Sequence, residues 1–227
     1  MQKKVLIIIG VAVLLIAAIA CSVFLISTAD LEPESKGIEV EGTWRVLRKG
    51  SADPGSEYFV FDAAGVKDYR NGDPTPALES EYTLEGNIIS IATLGQNYTI
   101  EKKSANVLLL YNESAEFLII RCAANSQTAT NSYSQADLNG KYKVELHANS
   151  IFGEEFIEFN GDKFVCVRNG ETYLDTTYTI NNNVISIVTP NGKTDFVICH
   201  LEGEEVRFAE ISSDGSYLAW ELVKVEE

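Results

Sequence analysis

Asn87-Ile88-Ile89-Ser90-Ile91-Ala92-Thr93 and Asn183-Val184-Ile185-Ser186-Ile187-Val188-Thr189 are two versions of one seven-residue sentence. β-branched residues dominate both, and an Asn at the head marks a turn, so each reads as a strand leaving a hairpin. The likeness extends on either side. Tyr82-Thr83 answers Tyr178-Thr179 in step with the motif. Beyond a two-residue deletion, Gly42-Thr43-Trp44-Arg45-Val46 matches Gly140-Lys141-Tyr142-Lys143-Val144. Glu57 and Phe61 match Glu155 and Phe159, and Arg70-Asn71-Gly72 matches Arg168-Asn169-Gly170, all at an offset of 98. A tandem duplication follows.

Within each copy, apolar and polar residues alternate over short runs bounded by turn residues, and no 3.6-residue period intervenes. The runs predict eight strands per copy, near 43–47, 58–62, 66–70, 81–84, 88–93, 98–102, 107–111 and 116–122, then 141–146, 155–160, 164–168, 176–180, 184–189, 195–200, 205–209 and 217–225. Glu85-Gly86-Asn87, Asn191-Gly192 and Asp214-Gly215 supply the positive-φ positions that tight hairpins need. The expected fold is all-β, with two tandem eight-stranded antiparallel up-and-down barrels. Closure answers the edge-strand problem, and an open sandwich is the alternative. The domains are drawn at 38–122 and 137–227, with a Ser-, Thr-, Asn- and Gln-rich linker at 123–136.

The amino terminus sets the compartment. After a basic end at residues 1–4, residues 5–26 form a 22-residue apolar run whose one polar side chain is Ser22. At about 1.5 Å per residue it reaches roughly 33 Å, enough for a transmembrane helix. Lys3 and Lys4 precede it and an acidic stalk at 27–37 follows, so the positive-inside bias places the rest outside the cytoplasm. The length favours an uncleaved signal anchor in the cell membrane. Two other fates are open: secretion after cleavage near Ala29, and a lipoprotein modified at Cys21 after Ala18-Ile19-Ala20.

The 227 residues carry 18 Lys and Arg against 33 Asp and Glu, a net charge of −15, and no basic cluster. Nucleic acid is therefore not an expected partner. Two His and four Cys fall into no zinc-ligand spacing, and no EF-hand, G-x-S-x-G or phosphate-cradling motif is present. No metal, cofactor or catalytic residue is expected, and the protein is not read as an enzyme. His147 stands near a turn with no evident partner. Glu154-Glu155, Glu204-Glu205 and Glu226-Glu227 read as solvated edge charges. Cys122, Cys166 and Cys199 are an odd number of exported thiols, and burial as small apolar residues is expected of them.

Gly42-x-Trp44 on a first strand that opens an up-and-down meander resembles the G-x-W start of lipocalins and fatty-acid-binding proteins. More narrowly, the chain is similar to the compact lipocalin-like domains of bacterial exported proteins; the second copy departs from the motif with Tyr142. The resemblance implies a ligand-binding barrel. It would make Arg70 and Arg168 cations that hold a ligand carboxylate at the barrel mouth, with Trp44 and Tyr142 as ligand-binding aromatics. The residues alone also allow exposed arginines before Asn-Gly turns and aromatics that plug the barrel floor, the commoner uses of these types. The expected function is therefore binding of a small amphipathic or cell-envelope ligand by a membrane-tethered protein. The alternative is a structural or interaction module of the envelope. Inward residues discriminate the two: if Phe59, Phe61, Ile89, Ile91 and their repeats fill the barrel, the second gains.

Overall fold

The computed structural model describes residues 37–51, 56–122, 133–147, 153–190 and 192–225. The predicted membrane segment at 5–26, most of the stalk and residues 123–132 of the linker lie outside that set. Among the described residues no helix is long and apolar enough to cross a membrane.

The first copy folds as nine antiparallel strands: β1 (Gly42–Arg48), β2 (Glu57–Asp62), β3 (Gly65–Arg70), β4 (Leu78–Ser80), β5 (Tyr82–Glu85), β6 (Ile88–Ile91), β7 (Gln96–Lys102), β8 (Val107–Tyr111) and β9 (Glu116–Cys122). Their order is β4-β3-β2-β1-β9-β8-β7-β6-β5. The second copy closes completely through β10 (Gly140–His147), β11 (Glu155–Asn160), β12 (Lys163–Arg168), β13 (Glu171–Asn181), β14 (Val184–Thr189), β15 (Gly192–Glu202), β16 (Glu205–Ile211) and β17 (Tyr217–Lys224). Both are meanders, as the alternation predicts.

The expectation of eight strands holds for the second copy and not for the first. There, what is one long β13 in the second copy is split into β4 and β5, so the barrel is nearly closed. The cause is the two-residue insertion after Gly72, which brings Pro74 and Pro76. Proline offers no amide N–H to the ladder, so pairing with β3 restarts only at Leu78. Glu81 then falls between the two ladders. A 3-10 turn at Ala92–Leu94 stitches this seam: the Thr93 amide donates to Ser80 Oγ at 2.8 Å, and Thr93 Oγ1 donates to the Glu79 carbonyl at 3.2 Å.

Each barrel floor is built alike. The Trp44 indole donates to the Val40 carbonyl at 2.7 Å, and the Tyr142 hydroxyl to the Leu138 carbonyl at 2.9 Å. Both rings and both apolar residues four positions upstream are buried. A cation from the last strand covers each ring, Arg121 at 4.3 Å from the Trp44 centroid and Lys224 at 5.9 Å from that of Tyr142. The glycine of the motif sits beside that cation. Gly42 (φ 123°) and Gly140 (φ 140°) hold backbone conformations that strain any L side chain, and a β-carbon, 2.6 Å from Arg121 Nη1 or Lys224 Cε, would also push the covering cation aside. The last two residues of the linker stretch, Gln135 and Ala136, begin a one-turn helix, α1 (Gln135–Leu138), whose Leu138 is buried in the second floor.

The barrels dock through their outer walls within one compact unit, Ile38–Glu227. Leu47, Leu118 and Ile120 of the first pack against Val197, Cys199 and Ala209 of the second. The strands that meet there are covered on both faces, so burial runs unbroken along β1, β9, β15 and β16, while it alternates in β3, β5 and β12. Two polar contacts seal the rim. Arg207 Nη1 donates to the Arg121 carbonyl at 3.1 Å, and the Gly50 amide to the Gly215 carbonyl at 2.9 Å.

Candidate functional site

β2 and β3 pair so that Glu57 lies opposite Arg70, and β11 and β12 so that Glu155 lies opposite Arg168. All four sit at a barrel mouth, next to the Asn-Gly turns whose Asn71 and Asn169 adopt positive φ. Each arginine is committed to the chain's own carboxylates. Arg70 donates to Asp68 Oδ2 from Nε at 2.9 Å and Nη2 at 2.5 Å, and its Nε stands 3.8 Å from Glu57. Arg168 Nη2 donates to Glu155 Oε1 at 2.9 Å and its guanidinium stacks on Tyr173 at 4.2 Å.

The glutamates are the centres of these clusters. Glu57 takes Arg48 through both side-chain oxygens, with Arg48 Nε at 2.5 Å from Oε2, and the Arg48 guanidinium rides on Phe117 at 4.5 Å. Glu155 receives Arg168, the Cys166 thiol at 3.2 Å and a hydrogen bond shared with His147 Nδ1 at 3.0 Å, while the His147 ring stacks on Trp220 at 3.5 Å. Glu57, Asp68 and Arg70 correspond to Glu155, Cys166 and Arg168 at the offset of 98, and the strand pair Arg48–Phe117 to the pair His147–Trp220, one residue further on because the register of β10 shifts between Val144 and Leu146. His147 therefore has a partner, contrary to its sequence reading. Glu155 is 2% exposed rather than a solvated edge charge. The alternation of β11 turns Glu155 inward, with Ile157 and Phe159.

The two carboxyls titrate in opposite directions. Burial pushes Glu57 up, Asp68 adds to it, and the Arg48 hydrogen bond does not offset them. Burial works on Glu155 in the same sense, but hydrogen bonds from His147, Arg168 and Cys166 outweigh it and hold the group at about 2. A raised folded-state value makes Glu57's contribution to stability complete below its unfolded value, 4.5, and lost as pH rises through the folded value. Thermal midpoints of the full chain between pH 4 and pH 8 are expected to show it. The midpoint of the natural chain, less that of Glu57→Gln, falls as pH rises; a difference that grows would contradict the arrangement.

Above each cluster a pocket remains. In the first barrel about 270 Å³ is walled by Phe59, Val66, Ile91, Tyr98, Leu110 and Phe117, with Arg48, Asp68, Arg70, Gln96 and Ser114 among its polar lining. In the second about 190 Å³ is left, lined by His147, Glu155, Cys166, Arg168, Tyr173 and Trp220 among others. Two substitutions reduce it: Phe164 stands where the first barrel has Val66, and Trp220 where it has Phe117. Arg70 and Arg168 thus line the pockets, whereas Trp44 and Tyr142 lie in the cores outside both linings. Phe61 and Ile89, with Ile157, Phe159 and Ile185, fill the interiors beneath, while Phe59, Ile91 and Ile187 belong both to the cores and to the pocket walls.

No family model and no curated protein matches the chain. Among solved structures, a protein of unknown function of the DUF3598 family from Nostoc punctiforme is similar at 10% identity over 82% of this chain and 96% of that one, with a TM-score of 0.29. A likeness of that degree carries no argument.

The thiols complete the chemistry. Cys122, Cys166 and Cys199 are buried. Burial, reinforced at Cys166 by its bond to Glu155, pushes the Cys166 and Cys199 thiols up to about 12, which leaves them protonated and poor as nucleophiles at neutral pH. Among the described residues no group of three or more His, Cys, Asp or Glu is placed to hold a metal ion.

Proposed function

We propose that the chain is a non-catalytic binding protein, anchored in the cell membrane by residues 5–26 with both barrels outside the cytoplasm, and that its first barrel holds a small amphipathic molecule or one end of a cell-envelope component. The pocket above Asp68 carries this reading: an apolar-walled cavity with charged groups at one end is the usual form of a site for such a ligand. The filled interior beneath limits the guest to a short chain or a single ring. A structural role is favoured for the second barrel. Phe164 and Trp220 take up its mouth, and its outer wall supports β1 and β9, the strands that carry Arg48 and Phe117. A non-catalytic reading fits the protonated thiols and a glutamate already engaged by three donors.

The test is solvent extraction of the full chain, purified from its own cells in native membrane discs, followed by mass spectrometry. Ala115 lines the pocket from the β8–β9 turn, so Ala115→Trp fills it. A small molecule enriched with the natural chain and absent from the Ala115→Trp extract is expected. Identical extracts from the two would refute the reading.

A further inference from the structure

Asp68, a residue of the first barrel's pocket lining, carries a buried polar atom that the fold leaves unmet. Asp68 is 2% exposed, on a strand whose alternation turns Val66, Asp68 and Arg70 to one side. Its Oδ2 accepts both bonds from Arg70, while Oδ1 is buried with no hydrogen-bond partner. A buried acceptor left in this state costs about 1–3 kcal/mol, more when charged, and its place in a pocket wall marks where a ligand can recover that cost. On an ionised carboxylate, only a donor can do so. The arginines that would receive a carboxylate already pair through Nε and Nη2 with Glu57 and Asp68, so an anionic head would meet guanidinium charges that the chain's own carboxylates offset. The second barrel has Cys166 at the equivalent place, and its thiol is spent on Glu155. Net charge acts in the same direction, since −15 attracts cations and repels anions.

Resting on the pocket reading, we propose that the first barrel selects amphiphiles with a protonated amine head, seated on Asp68 Oδ1 with the apolar part against Phe59, Leu110 and Phe117, and that it discriminates against carboxylates. Arg70 then orients Asp68 rather than the ligand. The second barrel does not share this selectivity.

Isothermal titration of n-hexylamine, n-hexanol and sodium hexanoate into the full chain in lipid discs at pH 7, with empty discs subtracted, tests the assignment. Hexylammonium is expected to give saturable heat and to bind about tenfold or more tighter than hexanoate, the range of one charge-assisted hydrogen bond. Asp68→Asn and Asp68→Cys, the latter installing the residue of the second barrel, are expected to lose that preference while keeping the near-ultraviolet circular dichroism of the folded chain. Hexanoate or hexanol binding as tightly as the amine, or amine binding indifferent to both folded Asp68 variants, overturns the head-group assignment. If that binding is still abolished by Ala115→Trp, the pocket reading stands. Absence of saturable heat for all three compounds overturns both.

Discussion

Trp44→Ala is expected to destabilise the full chain by about 3–5 kcal/mol, the range for truncating a large buried aromatic. The ring is fully buried, so the substitution leaves a cavity where the barrel floor was. It also deprives the Val40 carbonyl of its indole donor and Arg121 of the ring beneath its guanidinium. Trp44→Tyr should cost far less, since Tyr142 performs the same closure in the second barrel with a hydroxyl reaching the carbonyl four residues upstream. Urea unfolding of the two variants checks the contrast. A loss below about 1 kcal/mol for Trp44→Ala would mean that the floor does not hold the barrel together.

Glu155→Ala is expected to cost a similar amount, about 3–5 kcal/mol at pH 7, because it takes away the carboxylate that Arg168, His147 and Cys166 share. The pH dependence identifies the cause. With its folded-state value held at about 2, Glu155 contributes stability that is present above its unfolded value of 4.5 and is lost as pH falls toward 2. The gap between the natural chain and the variant should therefore narrow in acid. A gap that is constant from pH 7 to pH 3 would assign the loss to packing alone.

The duplication made the architecture legible, because a pattern repeated with turn residues in step constrains two sheets at once. The number of strands in the first copy was less so. Pro74 and Pro76 are visible in the sequence, but where the ladder restarts after them depends on Glu81 and on the Thr93 contacts to Ser80 and Glu79, which join residues 13 and 14 apart. The docking of the barrels did leave a trace. Phe117-Leu118-Ile119-Ile120 and Phe196-Val197-Ile198-Cys199 are unbroken apolar runs among alternating strands, the mark of a strand covered on both sides.

The site was half legible. Arg70 and Arg168 stood out for their identical placement, and Glu57 and Glu155 matched just as well. Glu155, beside Glu154, nevertheless looks like surface charge. Only the pairing register sets Glu57 opposite Arg70 and Glu155 opposite Arg168, which gives the arginines carboxylate partners within the chain. His147 and Trp220 lie far apart in sequence and meet only because barrel closure pairs β10 with β17.

The most direct measurement is a crystal structure of the full chain purified from its own cells, at a resolution that separates water from a bound molecule. A continuous guest between Asp68 Oδ1 and Phe117 in the first barrel, within hydrogen-bonding distance of that oxygen, is the predicted result. A pocket holding only water, with a water molecule satisfying Asp68, would contradict it.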